Sequence, residues 1–314
     1  MMNAPDHTDQ RVRMDESSPD PPFQETYKTL FNNLTQTAPK NFPQFSVMEE
    51  IELPLIDLNK LDLGDSERES CKKQIARASQ EWGFFQVINH GISVEILEKM
   101  RREQLSWSEA FHVSLSDILG SDGLDNLSST MEQYATTVSE LAQKLADILA
   151  EKMGHKSVFI KETCLPSTCY LRMNRYPPCP MSPQMFGIMP HTDSDFLTVL
   201  HQDHIGGLQL VKDGKWIAVK PNPKALIINI GDLFQAWSNN VYKSVEHRVV
   251  ANELKERYST AYFLCPSYDT VIQSCIEPSV YKRFSFGEYR QQVQEDVKCL
   301  GYKIGLPRFL VPSH

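Results

Sequence analysis

Val211-Lys212-Asp213-Gly214-Lys215-Trp216 is a hairpin legible from its turn alone. Asp-Gly supplies the two positive φ angles of a type I′ turn, whose twist lets two antiparallel strands leave it in register. Around this turn the apolar residues recur with period 2, and the alternation starts at Thr168. Strands are expected at 168–176, 188–193, 196–201, 207–212, 215–220, 225–230, 242–250 and 257–265. About eight short antiparallel strands after a helical half predict a mainly β fold with α: a double-sheet jelly roll with helices against one outer face.

Upstream the period is 3.6. Ile51–Leu58 reads as a first strand, Ser66–Trp82 as a helix and Gly83–Ile88 as a short buried strand, and a second helix starts near Ser93. A long third helix is expected from Ser129 to Lys152, opened by the capping box Ser129-x-x-Glu132 and stopped at Gly154. Its stripe of Tyr134, Val138, Leu141, Leu145 and Ile148 is core packing. A last helix, Phe286–Leu300, starts from Ser285-x-x-Glu288. Residues 1–48 are polar and broken by prolines, which predicts a disordered or loosely docked tail with a short helix around Gln24–Leu34. A single domain is expected over 49–314: a helical half at 49–160, a jelly-roll core at 165–275 and a C-terminal helix at 285–300.

The 314 residues suffice for a large core, and 41% apolar with 23% charged residues is ordinary for a soluble globular chain. A net charge of −8 without a basic patch argues against nucleic acid. No apolar run is long enough to span a membrane, and no secretory signal opens the chain. Seven cysteines without framework spacing suit a reducing compartment, so the cytoplasm is the expected home.

Chemistry concentrates in three places. His191-x-Asp193 and His247 offer two imidazoles and one carboxylate, enough to hold a divalent metal on one face and leave the other open. In a strand His191 and Asp193 point the same way, and Val245, His247 and Val249 share a buried face. Structural zinc prefers four closed ligands rich in Cys, and no Cys-x-x-Cys occurs, so the pattern points to iron. Arg257-x-Ser259 adds a guanidinium and a hydroxyl that can grip the far end of a small dicarboxylate. His90 is read as a residue that caps local structure, and His112, His155, His201 and His204 as surface or packing residues.

These residues sit in stretches that resemble plant 2-oxoglutarate- and Fe(II)-dependent dioxygenases: Trp82-Gly-Phe-Phe-Gln-Val-Ile-Asn-His-Gly91, Asn174-Arg-Tyr-Pro-Pro178, Met189-Pro-His-Thr-Asp-Ser194, His247-Arg-Val-Val250 and Arg257-Tyr-Ser259. Leu105-Ser-Trp-Ser-Glu-Ala-Phe-His112, Gly231-Asp-Leu-Phe-Gln-Ala-Trp237 and Phe263-Leu-Cys-Pro-Ser-Tyr268 are most similar to gibberellin 2-oxidases of the class acting on twenty-carbon gibberellins. The resemblance implies a double-stranded β-helix, iron on His191, Asp193 and His247, and the distal carboxylate of 2-oxoglutarate on Arg257, Ser259 and Tyr176. It also implies dioxygen as second co-substrate, with ascorbate a candidate addition, and 2β-hydroxylation of a gibberellin as 2-oxoglutarate is decarboxylated to succinate.

In one respect the chain departs from that pattern. Family members carry a few tens of residues between the helix ending near Arg101-Arg102 and the Leu105-Ser-Trp-Ser motif, where this chain joins the two directly. In relatives that segment places a strand at the mouth of the barrel. Two alternatives therefore stand beside gibberellin 2β-hydroxylation: the same chemistry on a flavonoid or another gibberellin position, and a catalytically impaired binding protein. Oligomeric state is not legible.

Overall fold

The computed structural model describes residues 49–93, 96–97, 110–120, 126–156, 158–179 and 186–312. The chain divides into two units; all described residues fall in the second, Phe45–Leu105 with Glu109–His314. The first, Met1–Gln44 with Ser106–Ser108, lies outside them, as do the expected N-terminal tail and the junction near residue 103.

In chain order the strands are β1 (Glu50–Ile51), β2 (Leu55–Asp57), β3 (Phe84–Ile88), β4 (Ala110–Ser114), β5 (Tyr170–Tyr176), β6 (Phe186–His191), β7 (Leu197–Gln202), β8 (Leu208–Lys212), β9 (Lys215–Val219), β10 (Leu226–Ile230), β11 (His247–Val250), β12 (Arg257–Leu264), β13 (Val271–Ile272) and β14 (Phe284–Ser285). The α-helices are α1 (Asp65–Glu81), α2 (Leu115–Gly120), α3 (Asn126–Lys152), α4 (Val158–Thr163), α5 (Asp232–Trp237) and α6 (Phe286–Leu300). Two sheets carry the fold. One has the order β1-β9-β8-β11-β6, the other β2-β3-β10-β7-β12-β5-β4, and β13 pairs with β14 apart from both.

Alternation divides each strand between two cores. On the seven-stranded sheet Leu171, Val199, Ile228 and Tyr262 face outward and pack with α1 and α3 in the larger cluster. Tyr134, Val138, Leu141, Leu145 and Ile148 of α3 are all buried there, as the helical stripe requires. The opposite face, with Phe84, Tyr176 and Ile227, meets Leu208, Leu210, Val219 and Val249 of the five-stranded sheet. The site lies between the sheets on this second face.

The expected hairpin is present: Asp213 and Gly214 have φ of 50° and 73°, and Val211 faces Trp216 across the ladder. Ser285 caps α6 with a full capping box, as expected.

Other readings need correction. Ile51–Leu58 is not one strand, because Pro54 has no N–H to give a ladder and its carbonyl instead accepts from Gln86, splitting the segment into β1 and β2. The third helix starts at Asn126, not Ser129. The half read as helical contributes four strands, one of them β4, antiparallel to β5 at the sheet edge. Residues 242–246 do not extend β11, which begins at His247 with a register shift against β6.

Candidate active site

His191 ends β6 and His247 begins β11, and the two are direct partners across the ladder. Their rings lie 4.3 Å apart between centroids. Asp193 is not on the strand, as the alternation argument had it. After His191 the chain leaves the ladder: the Asp193 carbonyl accepts from the Asp232 N–H at the start of α5, and the Thr192 hydroxyl donates to the Asp232 carboxylate. The turn nevertheless delivers Asp193 Oδ1 to 3.5 Å from His191 Nε2 and 3.6 Å from His247 Nε2. One ligand atom from each of the three residues falls within 4.8 Å of the others.

The hydrogen bonds around the triad leave the right atoms free for a metal. His191 Nδ1 is 2.7 Å from the Met189 carbonyl and His247 Nδ1 is 3.0 Å from that of Val245. A carbonyl only accepts, so Nδ1 carries the hydrogen and Nε2 keeps its lone pair toward Asp193. Asp193 Oδ2 accepts from the Thr198 hydroxyl at 2.5 Å and the Asn229 amide at 2.7 Å, which leaves Oδ1 facing the imidazoles. Burial alone would raise the Asp193 pKa, but His247, His191 and Thr198 hold it well below the usual carboxylate range. Burial, and after it His191, lowers the His247 pKa to about 4, so its imidazole is neutral and able to ligate at neutral pH. Two histidines and one ionised carboxylate, with each non-ligating atom tied down, fit a divalent iron bound on one face.

At the other end of the cavity Arg257 is 1% exposed. Its Nη2 donates to Gln202 Oε1 at 2.8 Å and its guanidinium stacks 4.7 Å from the centre of the Tyr176 ring. Among the described residues Nε and Nη1 have no partner, and neither does the Gln202 amide nitrogen. Buried donors on a fixed cation are costly to leave unmade, so the site is short of an anion. Ser259 and Tyr176 stand beside them with hydroxyls 3.5 Å apart. A carboxylate lying against Arg257, Ser259 and Tyr176 would supply the missing acceptors, which fits one end of 2-oxoglutarate.

Both groups of residues open on one cavity of about 300 Å³, which Arg290, Val293, Val297 and Lys303 also line. The Lys303 ammonium bonds the Asp232 carboxylate at 2.6 Å, the Thr192 carbonyl at 2.9 Å and Ser194 Oγ at 2.8 Å, while the Tyr289 hydroxyl donates to the same carboxylate. The segment after α6 is thus tied to the turn that carries Asp193. Gly231 lets α5 start against that turn: a Cβ there would sit 2.1 Å from the Asp195 carbonyl. Lys303→Met should leave Asp232, 2% exposed, without its counter-charge. A loss of about 3 kcal/mol is expected, read as a lower urea midpoint at unchanged slope.

Every residue assigned from the sequence lines this cavity: His191, Asp193, His247, Arg257, Ser259 and Tyr176. Sequence reading missed Thr198, Asn229, Gln202, Asp232 and Lys303. Asp232 lies in the Gly231–Trp237 stretch quoted for the resemblance but had no role there, and the other four belong to no short motif, although Thr198 and Gln202 share the inner phase of β7, a signal available once that strand was drawn.

A jelly roll holding two histidines and an aspartate at one end of a cavity and a buried, under-bonded arginine at the other is the arrangement of a metal-dependent oxygenase with a carboxylate co-substrate. The sequence profile of the 2OG-Fe(II) oxygenase superfamily matches residues 167–266, and that described as the N-terminal part of the non-haem dioxygenase in morphine synthesis matches 53–117. Gibberellin 2-beta-dioxygenase 8 of Arabidopsis thaliana is 56% identical over 333 residues, covering 93% of this chain and 98% of its own. Gibberellin 2-beta-dioxygenase 6 of Oryza sativa subsp. japonica is 45% identical, covering 94% and 97%. The crystal structure of JOX2 with 2OG, Fe and JA superposes with a TM-score of 0.70 at 28% identity, covering 90% of this chain and 97% of that one. The chain belongs to the 2-oxoglutarate/Fe(II)-dependent dioxygenase family, an enzyme family using Fe(II) and 2-oxoglutarate and acting on small molecules.

Proposed function

We propose that this enzyme 2β-hydroxylates gibberellins, of the twenty-carbon class, and so inactivates them, with His191, Asp193 and His247 holding Fe(II) and Arg257, Ser259 and Tyr176 holding the distal carboxylate of 2-oxoglutarate. The observation that carries the site assignment is the pair of unpartnered guanidinium nitrogens on buried Arg257, in the same cavity as three converging ligand atoms. Identity of 56% with a gibberellin 2-beta-dioxygenase supports the substrate. When bound, iron and 2-oxoglutarate supply the oxidising chemistry, in which the co-substrate is decarboxylated to succinate and the substrate gains a hydroxyl. The chain's part is to bind, orient and exclude water. Thr198 and Asn229 fix the Asp193 carboxylate, the Met189 and Val245 carbonyls fix the imidazole tautomers, and the apolar walls from Phe84, Ile188 and Leu200 keep the space between the two ends dry. The free thiols of all seven cysteines support a cytoplasmic setting. Release of succinate by purified chain with Fe(II), with and without a twenty-carbon gibberellin, tests the reading; succinate release that no gibberellin stimulates, with no hydroxylated product, would remove it.

A second reading is favoured by the length of the match. The alignment to gibberellin 2-beta-dioxygenase 8 spans 333 positions, whereas 93% of this 314-residue chain is about 292, so about forty aligned positions have no residue here. A shortfall of that size is what a missing segment at the Arg101–Leu105 junction would produce. The six site residues all lie between 176 and 259, well after that junction. Substrate selection needs walls that hold one carbon near the metal, and those are what a rim segment provides. Uncoupled 2-oxoglutarate turnover with weak or absent gibberellin hydroxylation is therefore expected. Grafting the relative's segment into the junction should restore hydroxylation, and equal product from the short and restored forms would refute this.

A further inference from the structure

Strand β7 stands behind both ends of the cavity. Thr198, Leu200 and Gln202 share its inner phase. Thr198 holds the Asp193 carboxylate at the metal end, Leu200 lines the cavity wall, and Gln202 meets Arg257. Gln202 is 2% exposed and sits opposite Ser259 on the ladder between β7 and β12. The residues that follow this pair lock it in place. The Asp203 carboxylate accepts from the Tyr258 N–H at 2.7 Å, and the Asp203 N–H donates to the Tyr258 carbonyl at 3.2 Å. The backbones under Gln202 and Arg257 are thus clamped to one another.

The contact between them has only one chemical sense. Arg257 Nη2 can only donate, so the Gln202 atom 2.8 Å away is the amide oxygen, and the NH2 group is turned elsewhere. That NH2 is buried with no acceptor among the described residues. A buried amide with half its bonding unmet is destabilising, and a methionine of similar bulk would avoid the loss. A glutamate would avoid it as well, and could pair with the guanidinium in two bonds instead of one. Neither stands at position 202. Among the described residues the groups found against the Arg257 guanidinium are all uncharged: the Gln202 amide, the Tyr176 ring at 4.7 Å and, beside that ring, the Ser259 hydroxyl.

We propose that Gln202 is a positioning residue for the co-substrate: its amide oxygen fixes the orientation of the Arg257 guanidinium, and its neutrality leaves the whole positive charge for the far carboxylate of 2-oxoglutarate. The proposal rests on reading Arg257 as the holder of that carboxylate and deepens it. A planar fork grips a planar carboxylate only when plane and edge are aligned. One hydrogen bond from a clamped strand sets that alignment before the acid arrives, so less freedom is lost on binding. A glutamate in the same place would align the guanidinium equally well. It would also act as an internal carboxylate, filling donors and cancelling the charge that the co-substrate needs. Gln and Glu share a shape, and only charge separates them.

Anaerobic calorimetry on the full chain loaded with Fe(II) compares 2-oxoglutarate with 2-oxopentanoate, which has the same keto-acid end and chain length but no far carboxylate. Urea unfolding of the same proteins without either acid reads the fold. Gln202→Met should lower the preference for 2-oxoglutarate by about 10-fold, the scale of one hydrogen bond to a charged group. Gln202→Glu should lower it by roughly 100-fold or more, within the range for a buried charge pair. Its urea midpoint without acid should equal or exceed that of the unaltered chain, because Arg257 has gained a counter-charge. Weaker binding with undiminished stability is a combination that a packing defect would not give. An unchanged preference in either variant overturns the proposal, and so does a Gln202→Glu protein that is less stable than the unaltered chain or does not fold. Arg257→Ala separates this from the reading beneath it. If that variant keeps the preference, Arg257 does not hold the far carboxylate; if it loses the preference while both Gln202 variants keep it, the arginine stands and Gln202 alone is dismissed.

Discussion

Asp193→Ala is expected to bind no stoichiometric Fe(II) and to give no turnover, while the protein still folds. The carboxylate is the only anionic ligand type of the three, and its Oδ1 lies within 3.6 Å of both imidazole Nε2 atoms. Removing it leaves two neutral nitrogens, too few to hold a divalent ion against water. Folding is affected separately: of the two donors on Asp193, Asn229 loses its acceptor, at about 1–3 kcal/mol for a donor left buried, while Thr198 keeps Asp195 Oδ2 at 2.8 Å. Much of that is relieved if water enters the space. His247→Ala provides the control, since it deletes a ligand without orphaning that donor. Iron titration, with circular dichroism to establish the fold, reads both. One-to-one iron binding by either variant, with product formed, would take the triad out of the account.

Arg257→Ala should weaken 2-oxoglutarate by roughly 30- to several-thousand-fold. Removing one partner of a buried charge pair costs about 2–5 kcal/mol, and about 1.4 kcal/mol is a factor of ten. Iron affinity should hardly change, because none of the triad bonds to Arg257. The variant also removes an internal tension: Nε and Nη1 are buried without partners among the described residues, so its unliganded form should lose less stability than its size suggests. The apparent dissociation constant for 2-oxoglutarate, measured on iron-loaded protein, decides the matter. An unaltered constant would make Arg257-x-Ser259 a coincidence of spacing.

The parts of the fold legible in the sequence were those fixed by local geometry. Asp213-Gly214 could only be a tight turn, Ser285-x-x-Glu288 could only be read as a helix start, and the period-2 stretches after Thr168 found the core strands to within two or three residues at most ends. The site residues came from the same source plus the resemblance. Errors arose where tertiary bonds override pattern. Asp193 kept the phase of a strand on paper, but Asp232 captures its carbonyl and turns the chain. Residues 242–246 alternate like a strand yet have no ladder to join. The strand at 110–114 was hidden because Phe111 and His112, on a sheet edge, are exposed, so burial imposed little pattern there. Lys303 and Asp232 lie 71 positions apart and meet only through folding.

The two ligand histidines and the carboxylate-gripping residues stand on different sheets. His191 and His247 end strands of the five-stranded sheet, whereas Tyr176, Arg257 and Ser259 belong to the seven-stranded one. A molecule that touches both groups at once is a strut across the sandwich. Its binding free energy then opposes any breathing that parts the two layers, and mechanical rigidity of the barrel becomes a property of the loaded state. The empty barrel is then the softer object, and hydrogen exchange along both sheets should slow when 2-oxoglutarate and iron are bound.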